Sequence, residues 1–308
     1  MTNLKKLGLT ALAGSLVATS AFAGSLGVSG IAKVSYASGN NGAVNGNPLS
    51  MDSAYTFSGS GELDNGMTVS VNHVMTASSA SFSSSGLTLD MGDAGTLSFS
   101  NGQTGGHGIH AYQDKMPTAA EQVWDDLNGE GNGLVSMNET NTIGYGTSLA
   151  GANVSANYNK QEGGGSAYSI AADMSPMDGL MVFAAIADKY AGPNSTTDNY
   201  TVGGTYTSGP ITAGIQRSSI DVTAANSDQD RTHIAASFAV NEDLSLSVGR
   251  SVVEFESSTK TDQEDTGFSV SYTMGSMSIT AAANSSDNVN GTSGTDDEHK
   301  EMNIAFAF

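Results

Sequence analysis

Beyond residue 23 no segment approaches the roughly 20 consecutive apolar residues of a membrane-spanning helix, yet apolar side chains recur at every second position from Gly24 to the end of the chain. Met302, Ile304, Phe306 and Phe308 share one face of the final segment, and Glu301, Asn303, Ala305 and Ala307 share the other. Phe268, Val270, Tyr272 and Met274 alternate in the same way with Gly267, Ser269, Ser271 and Thr273, as do Ile234, Ala236, Phe238 and Val240 with His233, Ala235, Ser237 and Ala239. A period of two puts successive side chains on opposite faces of a β-strand. Each run therefore predicts a strand with one apolar face and one small or polar face. Only helices and closed barrels satisfy their own backbone hydrogen bonds in hydrocarbon, so a chain of this kind enters a membrane as a barrel.

Composition agrees with a hollow structure. The chain has 38 Gly and five Pro in 308 residues, and Leu, Ile and Phe are sparse. A soluble domain of this length buries a dense apolar core, whereas a wide barrel needs only one apolar face per strand. Residues 1–23 read as an export signal: Lys5 and Lys6 precede an apolar run from Leu7 to Val17, and Ala21-Phe22-Ala23 supplies small residues for cleavage. Without Lys5 and Lys6 the basic residues fall from 11 to nine against 31 acidic ones, a formal charge of −22. Nucleic acid and anionic lipid surfaces demand a basic footprint and are excluded as partners. Cysteine is absent, which removes disulfides, iron–sulfur clusters and thiol catalysis.

The connections alternate in length. Short turns fall at residues 61–66, 93–95, 149–151, 176–179, 208–210, 241–243 and near Gly275, with the Gly, Asn, Asp and Pro of tight hairpins. Longer polar connections fall at 38–50, 78–85, 102–139, 161–165, 191–198, 221–230, 257–264 and 285–298. The expectation is an all-β, 16-stranded antiparallel transmembrane barrel spanning residues 24–308, with strands of about 8 to 11 residues, counts of 14 or 18 being the alternatives. An even count puts both termini on the short-turn side, the periplasmic one. Apolar parity breaks between Val248 and Val253 and again at His73 and Val74. A bulge in each strand would restore it, as would a miscounted strand.

The segment 87–99, LTLDMGDAGTLSF, with its Met91-Gly92-Asp93-Ala94 turn, the later Trp124-Asp125-Asp126-Leu127 and the strand Thr142-Ile143-Gly144-Tyr145, resembles the alphaproteobacterial, Rhodobacter-type general-diffusion porins. Phe308 resembles the terminal aromatic that serves outer-membrane proteins as an insertion signal. The resemblance implies a passive pore for small hydrophilic solutes and ions, a homotrimer in outer-membrane lipid, and a third loop, 102–139, folded inward to form the constriction. Within that loop Pro117, Val123 and Leu127 suggest a helix over 117–127. The family sets arginines on the wall opposite the loop. Here the candidates are Lys33 and Arg231, inward by parity, with Arg217 and Arg250 of unclear parity.

Asp114, Glu121, Asp125, Asp126, Glu130 and Glu139 give the third loop six acids against one base, Lys115. Lining a constriction, they would favour cations over anions; the alternative is a solvated loop away from the lumen. Trp124, the only tryptophan, anchors the loop to the wall or offers a sugar-stacking platform. Three other acidic groups, Asp221 with Asp228 and Asp230, Asp262 with Glu264 and Asp265, and Asp287 with Asp296, Asp297 and Glu298, read as solvated charge, with weakly held calcium as the sharper alternative. No cofactor is implied. His107 and His110 have too few companions for zinc, and no G-x-S-x-G elbow supports a hydrolase. Tyr36, Tyr158, Tyr190, Tyr200, Tyr206 and Tyr272 sit toward strand ends, as interfacial aromatic belts do. Two rivals to a general pore remain. A substrate-specific channel would show an aromatic track along its lumen, and a secreted adhesin or surface-layer protein would lack both the alternating connections and Phe308.

Overall fold

The computed structural model describes residues 25–40, 46–76, 81–101, 106–134, 141–160, 165–190 and 196–308. The expected signal segment, residues 1–23, lies outside them. Sixteen strands run in order: β1 (Ser25–Gly39), β2 (Leu49–Glu62), β3 (Thr68–Thr76), β4 (Ser81–Asp90), β5 (Thr96–Asn101), β6 (Thr142–Leu149), β7 (Ala152–Lys160), β8 (Ser166–Met177), β9 (Leu180–Tyr190), β10 (Thr196–Ser208), β11 (Ile211–Val222), β12 (Gln229–Ala239), β13 (Leu244–Phe255), β14 (Gln263–Met274), β15 (Met277–Asp287) and β16 (Asp297–Ala307). Every strand pairs antiparallel with its sequence neighbours, and β1 also pairs with β16, so the sheet closes with no edge. A closed ring leaves no row of unpaired backbone donors to face lipid.

The closing seam depends on a small residue. Phe308 continues the β16 ladder by exchanging two backbone hydrogen bonds with Gly30, at 2.7 and 2.9 Å. Its ring lies over Gly30, where a Cβ would come within 2.6 Å of it, and meets Tyr55 edge-on at 6.0 Å. The expected short turns are all present between strands, among them the Asp178-Gly179 turn, where Gly179 takes a φ of 77° that a side chain would resist. Both ends of the barrel lie on that side: Ser25 pairs with Ser60 beside the 63–67 turn, and Ala307 pairs with Ile31.

The period-two pattern sorts as expected. Val34, Ile143, Ile170, Ile186, Ile215 and Val248 are exposed on the outer face, and the inner face carries Ser169, Thr201, Ser218, Ser251 and Asn303. All six tyrosines of the expected belts are exposed on the outside. At the loop end of β9 to β14 the outer face turns charged. There Arg217 pairs with Asp230 at 3.0 Å and Glu254 at 3.6 Å, and Arg250 grips Glu264 through two bonds of 2.5 and 2.6 Å.

Two local expectations are corrected. Strand lengths run from six residues in β5 to 15 in β1, rather than 8 to 11, and β10 to β14, at 11 to 13 residues, carry the charged rim at their loop ends. Neither β13 nor β3 carries a bulge. β13 pairs without interruption on both sides, with Val253 facing inward and buried. The parity break arises because Val253 lies where protein, not water, covers the inner wall. β3 is continuous against β2, and the register shift lies in its other partner, β4, opposite Val74 and Met75.

The outer face implies a depth-dependent cost for charge. Ile186→Arg, in the middle of β9, should destabilise the barrel in lipid vesicles by about 2–4 kcal/mol, measured by reversible urea unfolding. The inward change Thr201→Ser should cost much less in the same assay.

Candidate functional site

Residues 106–134 of the connection from β5 to β6 fold into the barrel and rest on its inner wall. Ile109, Tyr112, Met116 and Leu134 of this loop are buried with Ala167 and Ala171 of β8, Phe183, Ala185 and Ala187 of β9 and Ala235 of β12. The Tyr112 ring stacks on Phe183 at 4.6 Å, and its hydroxyl donates to Asp173 at 3.2 Å. Burial, then the charge of Asp173, pushes the Tyr112 hydroxyl well above its ordinary pKa. The barrel is thus not coreless, as composition suggested. A small apolar core lies between loop and wall, and the inward alanines and glycines make room for it. Val123, for example, projects into a slot above Gly249 and Gly267, where Cβ atoms would meet its methyl at 2.8 and 3.0 Å.

Backbone groups inside the barrel need partners, and the wall supplies them through short polar side chains. Ser155 and Ser169 accept the Gly108 and Ile109 N–H groups at 2.9 Å each. Ser247 and Ser269 accept those of Ala119 and Ala120 at 2.8 and 3.1 Å. Asp297 accepts the Asn128 N–H at 2.7 Å, Gln216 donates to the Tyr112 carbonyl at 3.1 Å, and Asn284 donates to the Gln122 and Asp125 carbonyls. Each such bond contributes on the order of 1 kcal/mol net, and together they hold the loop across half the barrel wall.

The helix expected over residues 117–127 is absent. That segment is a series of bends and turns with two short-range backbone bonds, Asp125 to Gln122 and Leu127 to Trp124. Its carbonyls and amides bond the wall instead of each other, and Asp126, at φ 59°, breaks any helical continuation. The Asp125 carboxylate caps the turn by accepting the Gln122 N–H at 2.8 Å. The only helical piece among the described loop residues is a single 3-10 turn, Gly108–Tyr112.

The acids of the loop divide. Glu121, Asp125 and Asp126 border an aqueous space of about 700 Å³, whose far side is Lys33, Ser35 and Ala37 of β1, Ser50 and Asp52 of β2, Thr280 of β15, and His299, Glu301 and Asn303 of β16. Five carboxylates, Glu121, Asp125 and Asp126 from the loop and Asp52 and Glu301 from the wall, thus share this neck with one base, Lys33. Not all are charged. Burial and a hydrogen bond to Glu301 push Glu121 up to about 9, so at neutral pH it is a carboxylic acid. Burial also raises Asp125, opposed by the Gln122 N–H, and raises Asp114. Glu130 joins the wall through its carbonyl, which accepts from Arg231. Glu139 lies outside the described residues.

Of the four wall bases, only Lys33 faces the neck. Arg231 points inward as parity required but is 3% exposed, sealed under the loop with its guanidinium 5.5 Å from the Trp124 ring and 3.6 Å from Asp265. Arg217 and Arg250 point outward, held by acids on β12, β13 and β14. Trp124 meets His233 edge-on at 4.3 Å and so anchors the loop. Asp265 and Asp297, read from sequence as solvated, are buried at 0% and 1% exposure because they bind Gln263, Ser286 and the loop backbone. Asp221 and Asp228 organise their own loop, accepting from Ser219 and the Val222 N–H. The neck residues Asp52, His299, Glu301 and Asn303 were not singled out from sequence. Their signal was parity alone, since each falls on a polar inner face.

A family model described as Gram-negative porin matches residues 8–308. No curated protein sequence matches the chain. Among solved structures, the trimer form of OmpT from Vibrio cholerae is 15% identical and superposes with a TM-score of 0.67 over 93% of this chain and 100% of that one. The anion-selective porin from Comamonas acidovorans is 15% identical, with a TM-score of 0.64 over 92% and 100% of the two chains. A triple mutant of the Rhodopseudomonas blastica porin is also 15% identical, with a TM-score of 0.67 over 92% and 100%. At these identities the similarity is one of fold.

The Val123 slot offers a test of how the loop is held. Gly249→Leu should expel Val123 and destabilise the barrel by about 1–3 kcal/mol, the usual cost of overpacking, seen as a lower thermal transition in detergent. It should also change single-channel conductance, since the displaced segment borders the neck. An unchanged transition and an unchanged conductance would show that the slot does not position the loop.

Proposed function

This chain belongs to the Gram-negative porin family, and on that premise we propose that it is a general-diffusion channel of the Rhodobacter-type kind, trimeric and cation-preferring. It is an outer-membrane β-barrel and a channel rather than an enzyme. Its selectivity comes from width and lining charge. The observation that carries the proposal is the neck: Asp52, Asp125, Asp126 and Glu301 crowd one aqueous space with a single lysine. Negative charge in a confined channel concentrates cations and repels anions. The outward placement of Arg217 and Arg250 and the burial of Arg231 remove the positive wall that would balance it.

The trimer is carried over from the Vibrio cholerae relative. The Rhodobacter-type assignment rests on the 87–99 segment and the acidic third loop. The short-turn side is assigned to the periplasm, where porin turns lie, and Phe308 to insertion, consistent with its position on the closing seam. The inward aromatics Tyr112 and Phe183 stack beneath the loop instead of lining the water path, which favours a general pore over a substrate-specific one.

Reversal potentials in planar bilayers under a potassium chloride gradient, in chelator-containing buffer, test the selectivity. The native channel should prefer potassium, and Asp125→Asn with Asp126→Asn should lower the permeability ratio on the order of two-fold. The asparagines keep an acceptor for the Gln122 N–H, so the loop should stay in place. Anion preference, or a ratio untouched by the double change, would rule out the loop as the selectivity element.

A further inference from the structure

We propose that Asp126, His299 and Glu301 form a binding site for one divalent transition-metal ion, of the zinc class, in the neck of the channel. His299 and Glu301 lie two residues apart on the inner face of β16, and Asp126 reaches them from the loop. The donor atoms of the three lie within 4.8 Å of one another, with His299 Nε2 3.8 Å from Asp126 Oδ2 and 3.8 Å from Glu301 Oε2.

His299 is the observation that points to a ligand. Its side chain is 7% exposed, and neither ring nitrogen makes a hydrogen bond. Buried polar groups are almost always partnered, and 3.8 Å is too long for a hydrogen bond to either carboxylate. A metal bound at about 2.0–2.2 Å to nitrogen and oxygen in tetrahedral geometry separates its donors by about 3.3–3.6 Å. The two His299 distances need to close by only a few tenths of an ångström, and the Asp126–Glu301 separation, which is at most 4.8 Å, by no more than about 1.5 Å.

The surroundings hold the ligands in place. Asn303 donates to Glu301 Oε1, and Glu301 Oε2 faces His299. Asp126 sits in a left-handed backbone conformation, φ 59°, that aims it at β16, and it remains open to the channel. Such outer partners orient metal ligands and tune affinity. One imidazole with two carboxylates is a donor set that zinc accepts. Calcium prefers six to eight oxygens and magnesium a near-octahedral oxygen shell, so neither suits it. The fourth position faces the aqueous neck, where water completes the shell.

A bound dication would cancel two carboxylate charges and narrow the neck, lowering cation conductance. That effect rests on the neck being the constriction, whereas the site itself rests only on the three side chains. The experiment separates them. Tag-free protein in detergent is titrated with cobalt(II), and the expected result is a visible d–d spectrum that saturates at one ion per chain. Zinc should displace the cobalt, and the spectrum should be lost in His299→Gln and in Asp126→Asn. Asp126 is exposed, so its variant should fold if the buried histidine's does not.

In planar bilayers zinc should then reduce potassium conductance at least roughly two-fold, reversibly on adding EDTA, in the native channel but not in the variants. Absence of the cobalt spectrum, or its persistence in both variants, overturns the site and leaves a histidine flanked by two acids. Binding with unchanged conductance overturns the control of the channel, and with it the reading of the neck as constriction.

Discussion

In hydrocarbon an unpaired backbone N–H or C=O costs several kilocalories per mole, and the sixteen-strand ring is the arrangement by which this chain avoids that cost. The constraint is collective. A ring is paired everywhere or it has an edge, so the seam between β1 and β16 matters as much as any hairpin. Its last pair, Gly30 with Phe308, joins residues near opposite ends of the barrel sequence. The missing Cβ of Gly30 is what lets the terminal ring lie over it.

Closing the ring creates a second demand. A wide lumen cannot be filled by the short side chains of its own wall, and a long loop brought inside carries backbone groups that need partners. The wall answers both needs with the same residues. Serines, an asparagine, a glutamine and an aspartate on β7, β8, β11 and β13 to β16 accept or donate to the loop backbone, while alanines and glycines leave space for Ile109, Tyr112, Met116 and Val123. Side chains suited to contact with water serve here as packing surface.

The loop in turn redistributes charge. By covering Arg231 it converts a lumen cation into a buried member of a cluster with Asp265, Trp124 and the Glu130 carbonyl. It buries Glu121 and sets it in hydrogen-bond contact with Glu301, which pushes the Glu121 carboxyl up to about 9. The space it leaves against β1, β2, β15 and β16 is lined by acids from both sides and one lysine. A formal charge of −20 over the whole chain foreshadows that sign but not its location.

Alternation at period two needs no tertiary information, because the pleat of a strand sends each side chain to a face by parity alone. That is why the strands, their turns, the even count, the outward tyrosines and the inward Lys33 and Arg231 were legible in the sequence. Parity says which face a residue occupies but not what covers that face. Val253 is buried inside an unbroken strand, and Arg217 and Arg250 sit in a charged rim beyond the apolar belt. The loop lacks its expected helix, and Asp265 and Asp297 are sealed rather than solvated. The neck itself joins β1, β2, β15 and β16 to residues more than 150 positions away in β16's case. These outcomes depend on where one loop comes to rest against a closed wall, a contact between distant segments, and only the tertiary structure decided them.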